Sequence, residues 1–198
     1  EVAIFELPKE YRNKTRSEKN KISKQIADNI IKQHKNIKTV AVKTGAIKGK
    51  FRIRSFNVVK GKKSILTIHK EYGCKFKIDP AKAYYSPRLS FERKRICNLV
   101  KKGENIFVPF AGVGPFAIII AKHHPDCRVY ANELNPAAFR YLKDNIKLNK
   151  VSNVIAIPGD AIGLKTKYKH TADRIIMPLP MSADKFLDLA FSLAKKNC

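Results

Sequence analysis

Short apolar runs alternate with amphipathic stretches through the second half of the chain. Each run is followed by a segment in which apolar residues recur every three or four positions, as they do on one face of a helix. Strands are predicted over 105–110, 128–133, 153–160 and 173–179. Helices are predicted over 86–102, 115–124, 136–149 and 182–196. This alternation predicts an α/β fold, with a doubly wound and mostly parallel sheet.

The first eighty residues are patterned differently, with one helical stretch and several strand-like ones. The helical spacing covers residues 21–34. The strand-like segments are separated by glycines and cover 38–45, 50–59 and 63–73. We therefore predict a small α+β domain over residues 1–80, ahead of the larger α/β domain over residues 81–198.

The clearest strand pattern in the first domain places two arginines side by side. In the segment 50–59, Phe51 and Ile53 fall on one face of the predicted strand, whereas Arg52 and Arg54 share the other. This pattern predicts a half-exposed sheet that presents both guanidinium groups to a ligand or to solvent.

The charge of the chain points to a polyanionic partner. The sequence has 41 Lys and Arg residues against 16 Asp and Glu residues, which gives a net charge of +25. The excess is spread over both halves of the chain, so it is not a tail. Nucleic acid is the partner that such a charge favours, although charge does not separate RNA from DNA. The alternative is a lysine-rich surface that only faces solvent.

Two further features of the composition exclude other classes of protein. No apolar run approaches the roughly 18 residues that a membrane span requires. The four cysteines are scattered and form no C-x-x-C pair, which predicts a reduced, intracellular protein without a metal site or a disulfide framework. The chain begins without Met and stops within a helical pattern, so we expect it to be part of a longer protein.

A glycine turn and two acidic strand ends predict a nucleotide-cofactor site. The stretch "FAGVGPF" (110–116) places Gly112 and Gly114 between a predicted strand and a predicted helix. Glu133 ends the next strand, 21 residues after Gly112, where a carboxylate can bind ribose hydroxyls. Asp160 ends the third strand and can accept a hydrogen bond from an adenine amine. Dinucleotides and S-adenosylmethionine both use such turns, and the second acid favours S-adenosylmethionine. The alternative is a plain strand–helix turn with helix-capping acids.

Seven segments in the same order give the chain a family resemblance. They are "HKEYGCKF" (69–76), "YYSPRLSFER" (84–93), "FAGVGPF" (110–116), "ELNPAA" (133–138), "NIKLNKV" (145–151), "GDA" (159–161) and "ADRIIMPLP" (172–180). Together they resemble the tRNA (guanine-37-N1)-methyltransferases of archaea and eukaryotes, and the resemblance is strong from Val40 onward.

The resemblance implies a fold, a reaction and a cofactor site. It implies a Rossmann-like class I methyltransferase domain behind a small RNA-binding domain, in a cytoplasmic monomer that binds no membrane. The implied reaction moves the methyl group of S-adenosylmethionine to N1 of guanosine 37, in the anticodon loop of tRNA. The implied cofactor-binding residues are Tyr85, Arg88, Phe110, Ala111, Gly112, Val113, Gly114, Glu133, Leu134, Asp160, Ala161 and Pro178.

The resemblance also implies which residues catalyse the reaction. N1 of neutral guanine carries a proton, so its methylation needs a base and a positive charge near O6. The family pattern places the base at Glu92 and the cation at Arg52 or Arg54, without deciding between the two arginines. Glu92 could instead pair with Arg95 or Lys94 on a helix surface, and the arginines could contact phosphates. No metal ligand is predicted.

Two positions depart from the usual family pattern. Val108 stands where many members have Asp, and Pro178 of "MPLP" stands where many have Asn. Pro178 resembles an archaeal subgroup that also methylates carbon 7 of the wyosine precursor at the same nucleotide, and it argues against an exocyclic amine as the target. Two other functions are weighed: an aminocarboxypropyl transferase of the wyosine pathway, and a catalytically silent RNA-binding module.

Overall fold

The computed structural model describes residues 1–11, 13–179 and 182–196. The chain divides into two compact units. Residues 1–68 and 78–84 form the first unit, and residues 69–77 and 85–198 form the second. The boundary expected from the sequence lies at residues 80/81, whereas segment 69–77 groups with the second unit.

The first unit is a three-stranded sheet with one long helix. Its elements are β1 (Val2–Phe5), α1 (Arg16–Gln33), β2 (Thr39–Lys48) and β3 (Ile53–Lys60). The strands lie in the order β1-β2-β3, with β1 parallel and β3 antiparallel to β2. Val40, Ala41 and Val42 of β2 are buried, and α1 buries Ala27.

Helix α1 begins five residues before its predicted start because a capping box precedes it. Thr15 Oγ1 accepts a hydrogen bond from the N–H of Glu18 (3.3 Å), and Glu18 Oε2 accepts one from the N–H of Thr15 (2.9 Å). This reciprocal pair satisfies two N–H groups that a helix leaves unpaired at its start.

The second unit contains most of a strand pair and an α/β sheet. The remaining elements are β4 (Thr67–Glu71), β5 (Cys74–Ile78), α2 (Ser90–Asn98), β6 (Asn105–Val108), α3 (Pro115–His123), β7 (Arg128–Glu133), α4 (Pro136–Asn149), β8 (Val154–Pro158), α5 (Leu164–Lys167), β9 (Arg174–Ile175) and α6 (Leu187–Leu193). Strands β4 and β5 pair with each other. The other four form a parallel sheet in the order β8-β7-β6-β9.

Helices cover both faces of the parallel sheet. Phe107 of β6 packs in a cluster with Leu164, Leu189 and Leu193, which come from α5 and α6. Because side chains alternate along a strand, the buried Ile106 and Val108 point to the opposite face, and α3 is buried over residues 116–121. The predicted α/β fold is confirmed, and the order reverses at β6, where ligands bind in folds of this kind.

Several predicted elements differ in extent from those observed. Strand β9 covers only two residues of the predicted 173–179, although the N–H of Ile176 still donates to the carbonyl of Phe107 (2.8 Å). The predicted strand does not continue to residue 179, because Pro178 has no N–H and the chain turns there, with the N–H of Leu179 bonded to the carbonyl of Met177 (2.7 Å). Strand β4 lies within the predicted 63–73, whereas β5 follows that segment and was not predicted. The bounds of β7 and α4 are those predicted.

No helix in the described part of the chain is both long enough and apolar enough to cross a bilayer.

Candidate active site

The turn after β6 bends sharply through three residues in the left-handed backbone region. Phe110, Gly112 and Gly114 have φ values of 61°, 60° and 88°. The N–H of Ala111 donates to the carbonyl of Asn132 in β7 (2.8 Å), and the N–H of Gly114 donates to the carbonyl of Ala111 (2.9 Å). The turn therefore lies across the end of β7, with its backbone held by hydrogen bonds.

Gly114 is required by the packing of two helices. A Cβ atom built on Gly114 would lie 2.4 Å from Cδ1 of Leu142, which is fully buried in α4. That distance is far below a van der Waals contact, and Gly114 also has a positive φ that only glycine adopts without strain. The glycine lets the start of α3 approach α4 closely.

Glu133 fixes the same turn with both oxygens of its carboxylate. The N–H of Gly112 donates to Oε2 and the N–H of Asn135 donates to Oε1, each at 2.7 Å. Burial raises the pKa of Glu133, although these backbone hydrogen bonds oppose the rise. A carboxylate has about four acceptor positions, so Glu133 keeps acceptor capacity for hydroxyl groups of a ligand.

Asn135 caps helix α4. Its side-chain oxygen accepts a hydrogen bond from the N–H of Ala137 at 3.0 Å. Pro136 follows at the first helical position, where a missing N–H costs nothing. The cap and Glu133 together set the direction in which the chain leaves β7.

The end of β8 is tied to the end of β7. The side-chain amide of the buried Asn132 donates to the carbonyls of Ile157 (3.2 Å) and Gly159 (3.0 Å). The exposed Asp160 accepts a hydrogen bond from the N–H of Ile162 at 3.0 Å. One oxygen of Asp160 thus caps the short helical turn over Ala161–Gly163. Its other oxygen can accept a hydrogen bond from a ligand.

Two exposed apolar side chains follow these strand ends. Leu134 comes directly after Glu133 and is 38% exposed, and Ile162 comes two residues after Asp160 and is 56% exposed. Since the carboxyl ends of parallel strands share one edge of a sheet, both side chains can face a flat, apolar ligand there. Ile162 is absent from the residues predicted from the sequence; its signal is a large apolar residue next to the acidic strand end.

A groove extends from this edge along β8. It has a volume of about 370 Å³ and is lined in part by Pro158, Asp160 and Lys167. This volume lies within the range typical of small-molecule sites. Beyond β9, the half-buried Pro178 forms the middle of the turn described above.

A buried ion pair organises the "YYSPRLSFER" segment. Arg93 is 1% exposed and donates from Nε and Nη2 to the two oxygens of Glu71, at 2.6 and 2.7 Å. Arg93 Nη2 also lies 3.2 Å from the carbonyl of Ser86, and the Tyr85 hydroxyl donates to Glu71 (2.9 Å). Tyr85 is therefore engaged in this cluster, whereas Arg88 is exposed.

The electrostatics of the cluster favour an ionised Glu71. Burial opposes ionisation of Glu71, but the hydrogen bond and charge of Arg93 outweigh it, so the pKa of Glu71 is lowered. Burial raises the pKa of Tyr85, which keeps its hydroxyl protonated and able to donate. Sequence reasoning assigned nothing to Glu71 or Arg93, because only the folded chain brings them together.

Glu92 lies on the exposed side of α2, in an ion pair. Both of its oxygens accept hydrogen bonds from Arg95, from Nε and Nη2 at 2.7 Å each. These hydrogen bonds lower the pKa of Glu92. The pairing with Arg95 that the sequence allowed as an alternative is thus present in this structure.

Arg52 and Arg54 do not share a strand face, so that prediction was wrong. Arg52 precedes β3 in the hairpin turn, with a φ of 54° and its N–H bonded to the carbonyl of Gly49 (3.1 Å), whereas Arg54 lies within the strand. The reason is the glycine-containing turn, which delays the start of the strand until Ile53.

The two guanidinium groups also have different partners. Arg54 Nη1 lies 3.2 Å from a carboxylate oxygen of Glu6, which partly neutralises it. The guanidinium of Arg52 lies 5.7 Å from the ring centroid of Tyr84. Its buried Nε has no hydrogen-bond partner among residues 1–11, 13–179 and 182–196.

One cluster of metal-ligand residue types is occupied by structural hydrogen bonds. Candidate ligand atoms of His124, Asp126 and Cys127 lie within 4.8 Å of one another. However, His124 Nε2 lies 2.9 Å from the carbonyl of Cys97, and Cys127 Sγ donates to the carbonyl of Lys101 at 3.1 Å. Burial raises the pKa of Cys127, so its thiol stays protonated at neutral pH. The cluster joins the start of β7 to the end of α2.

The sequence matches one family of protein domains. The TRM5/TYW2 methyltransferase domain matches residues 67–198. The tRNA (guanine(37)-N(1))-methyltransferase Trm5b of Pyrococcus abyssi is 43% identical over 191 residues, which cover 96% of this chain and 54% of that protein. The tRNA(Phe) (4-demethylwyosine(37)-C(7)) aminocarboxypropyltransferase of Methanocaldococcus jannaschii is 41% identical, covering 89% and 70%. The tRNA (guanine(37)-N(1))/4-demethylwyosine(37)-methyltransferase Taw22 of Nanoarchaeum equitans is 34% identical, covering 87% and 75%.

Solved structures give the same family. The crystal structure of Trm5b from Pyrococcus abyssi superposes with a TM-score of 0.82 at 41% identity, covering 99% of this chain and 55% of that one. The complex of aTrm5 and tRNALeu has a TM-score of 0.83 at 35% identity, covering 98% and 54%. The structure of M. jannaschii TYW2 in complex with AdoMet has a TM-score of 0.65 at 44% identity, covering 71% and 63%.

The chain spans about half the length of the first of these relatives. Its second unit has the parallel sheet, the glycine turn held by Glu133 and the acidic end of β8. Together with the match over residues 67–198, these features place the chain in the TRM5/TYW2 methyltransferase domain family.

Proposed function

We propose that this chain transfers a methyl group from S-adenosylmethionine to N1 of guanosine 37 in tRNA. The observation that carries the proposal is the 43% identity, over 96% of the chain, to the Pyrococcus abyssi tRNA (guanine(37)-N(1))-methyltransferase. The solved complex of aTrm5 with tRNALeu supports tRNA as the substrate.

The residues around the glycine turn fit S-adenosylmethionine. Glu133 has acceptor capacity for the two ribose hydroxyls, and the exposed Leu134 and Ile162 provide apolar surfaces for the two faces of an adenine. Asp160 provides an acceptor for the adenine amine. Backbone of the turn from Phe110 to Gly114 would hold the remainder of the molecule. The bound cofactor supplies an electrophilic methyl group.

In this proposal, the protein prepares N1 of guanine as a nucleophile. Glu92 accepts the N1 proton, and a guanidinium stabilises the negative charge that then develops on O6. Arg52 suits this role better than Arg54, because Arg54 is paired with Glu6 whereas Nε of Arg52 is buried without a partner among the described residues. Buried unpaired donors are rare, and they call for a ligand.

To act as this base, Glu92 would have to break its ion pair with Arg95 and form a hydrogen bond to the purine instead. The ion pair is on the surface, where such pairs contribute little and break easily. Because Arg95 lowers the pKa of Glu92, the carboxylate is ionised at neutral pH and ready to accept a proton.

The charge of the first unit supports binding of the tRNA anticodon loop. Between Asp28 and His69 the sequence has eleven Lys and Arg residues and no acidic residue. Such a surface binds phosphates with an affinity that falls steeply with salt concentration. We place the chain in the cytoplasm, as a monomer bound to tRNA.

The reaction is tested by locating the label that the protein transfers. Incubation with tRNA and methyl-labelled S-adenosylmethionine is expected to place the label in 1-methylguanosine, as identified by mass spectrometry of the digested tRNA. A tRNA with adenosine at position 37 is the matched control and is expected to remain unlabelled. Label on the control tRNA, or none on either, would contradict the proposal.

The same assay distinguishes the proposed methyltransferase from an aminocarboxypropyl transferase. The 41% identity to the M. jannaschii enzyme makes that second reaction the main alternative. That reaction transfers the amino acid arm of the cofactor, so only carboxyl-labelled cofactor would label the tRNA. A catalytically silent RNA-binding module would transfer neither label.

Pro178 supports a second methylation, on carbon 7 of the wyosine precursor. The Nanoarchaeum equitans relative is named for both reactions, and a proline has no side-chain donor that would restrict the site to guanine. We expect tRNA carrying the precursor to gain a second methyl group. Absence of a C7-methylated product, with active 1-methylguanosine formation, would limit the chain to the first reaction.

Cofactor affinity is expected to fall as the pH decreases. Because the pKa of Glu133 is raised, the fall should begin at a higher pH than it would for a Glu with an ordinary pKa. Ribose hydroxyls donate to an ionised Glu133, and burial raises the pKa of Glu133, so the carboxylate becomes protonated early in an acid titration. Below that pKa, the dissociation constant of S-adenosylhomocysteine should rise by up to about tenfold per pH unit. Calorimetry between about pH 8 and 5 measures this.

The control for this titration is Glu133→Gln, which cannot ionise. This variant should bind S-adenosylhomocysteine more weakly than the wild type at pH 8, and its affinity should not fall in the same way as the pH decreases. A wild-type affinity that stays constant while the protein remains folded by circular dichroism would contradict the role of Glu133.

A further inference from the structure

Two buried asparagines of α4 hold strand β5 as a neighbouring strand would. Asn145 and Asn149 are 0% and 5% exposed. The N–H of Lys77 donates to Oδ1 of Asn145 (2.7 Å), and Nδ2 of Asn145 donates back to the carbonyl of Lys77 (3.2 Å). Asn149 makes the same pair of bonds with Lys75, at 2.7 Å each.

The spacing of the two asparagines explains why this arrangement fits. Four helical residues advance about 6.0 Å and two strand residues about 6.6 Å. Residues four apart on α4 therefore match residues two apart on β5. The "NIKLNKV" segment, which the proposed chemistry leaves without a role, supplies this match.

Asn145 makes one contact that Asn149 does not make. Its side-chain nitrogen also donates to the carbonyl of Val113, at 3.0 Å. Val113 is buried between Gly112 and Gly114, in the middle of the turn after β6. The second donation from Asn149 goes instead to the carbonyl of Asn145, within α4 itself (2.7 Å).

The turn therefore has a polar support on each side. Glu133 accepts from the N–H of Gly112, and Asn145 donates to the carbonyl of Val113, the next residue. Glycines lose more conformational freedom on ordering than other residues. A turn held in its binding conformation by fixed partners pays less of that cost when a ligand binds.

We propose that Asn145 is a positioning residue for the cofactor site, which it supports by fixing the Val113 carbonyl while it fastens β5 to α4. The inference rests on the proposed function, because it takes the turn to be the place where S-adenosylmethionine binds. Asn145 acts through the backbone of the turn and needs no contact with the cofactor.

Asn145→Ala and Asn149→Ala form a matched pair that tests this role. Both remove a buried amide that is bonded to β5, so both should lower the midpoint of urea unfolding. Only Asn145→Ala releases the turn. Loss of one such hydrogen bond corresponds to a change in affinity of roughly 2- to 12-fold. We expect calorimetry with S-adenosylhomocysteine to show a loss in this range for Asn145→Ala and less than twofold for Asn149→Ala.

Hydrogen exchange provides a readout that general destabilisation does not give. Amides of residues 111–118 should exchange faster in Asn145→Ala than in Asn149→Ala, when both are compared under conditions of equal global stability. If Asn145→Ala does not fold, Asn145→Ser, which keeps a small polar group, carries the same expectation.

The possible failures are distinguishable. Equal affinity losses in the two variants, or unchanged affinity and exchange in the Asn145 variant, would overturn the positioning role. A wild-type chain that binds neither S-adenosylhomocysteine nor S-adenosylmethionine would instead overturn the proposed function.

Discussion

Replacing Glu92 by Gln is expected to lower the single-turnover rate of methyl transfer by about 10²- to 10⁴-fold, the range typical of a lost general base. Gln has nearly the same shape as Glu but cannot accept the N1 proton. Binding of tRNA should stay within about twofold, because one exposed side chain adds little to a surface governed by many cations. Rapid-quench kinetics and filter binding measure the two quantities separately.

Arg95→Gln is the matched variant for this test. It removes the partner of Glu92 and leaves the carboxylate in place. Since Arg95 lowers the pKa of Glu92, its removal should raise that pKa and move the acidic limb of the pH–rate profile to higher pH. If the Glu92–Arg95 ion pair only stabilised the surface of α2, Glu92→Gln and Arg95→Gln would have similar small effects on the rate of methyl transfer. Near-normal turnover in Glu92→Gln would exclude Glu92 as the base.

Replacing Arg93 by Met is expected to lower the free energy of unfolding at pH 7 by about 3–5 kcal/mol, the usual result of leaving one member of a buried ion pair alone. Glu71 would then be a buried carboxylate without its main counter-charge, although Tyr85 could still donate to it. Urea unfolding followed by circular dichroism measures the loss.

The double variant Glu71→Leu/Arg93→Met separates the ion pair from its surroundings. Replacing both charges by apolar groups should recover most of the lost stability, since the cost lies in the unpaired charge. A double variant as unstable as Arg93→Met would show that Arg93 stabilises the fold by other means, such as its contact with the carbonyl of Ser86.

The effect of Arg93→Met should also depend on pH. In the wild type the pKa of Glu71 is lowered, so its stabilising contribution is present at neutral pH and is lost as the pH falls through that lowered pKa. In the variant, burial without Arg93 should raise the pKa of Glu71, so that protonation on acidification relieves the cost. The difference in free energy of unfolding between the wild type and Arg93→Met should therefore become smaller as the pH falls from about 7 to 4.5.

Elements with strong local signals could be predicted from the sequence. The apolar spacing over 136–149 and the Asn135–Pro136 cap determine α4 without help from the rest of the chain. The acidic residues at the ends of the second and third predicted strands, Glu133 and Asp160, were predicted for the same reason: each closes a short, mostly apolar segment. The glycine turn could be predicted because positive φ values leave few alternatives to glycine.

Features that depend on tertiary contacts could not be predicted in this way. Arg52 belongs to a regular alternation in the sequence, yet the hairpin turn takes it out of the strand. Glu71 and Arg93 are 22 residues apart, and nothing local indicates that they pair. The two asparagines of α4 are read as ordinary polar positions until β5 is seen beside them.

Asn145 and Asn149 also determine whether the β4–β5 hairpin can pair with a strand of another chain. A two-stranded hairpin has two open edges, each of which can recruit a strand from another molecule and begin aggregation. On β5 the outward N–H and C=O groups of Lys75 and Lys77 are already saturated by side chains of Asn145 and Asn149. That edge is therefore closed to intermolecular strand pairing, and a helix provides the protection that a third strand would otherwise give.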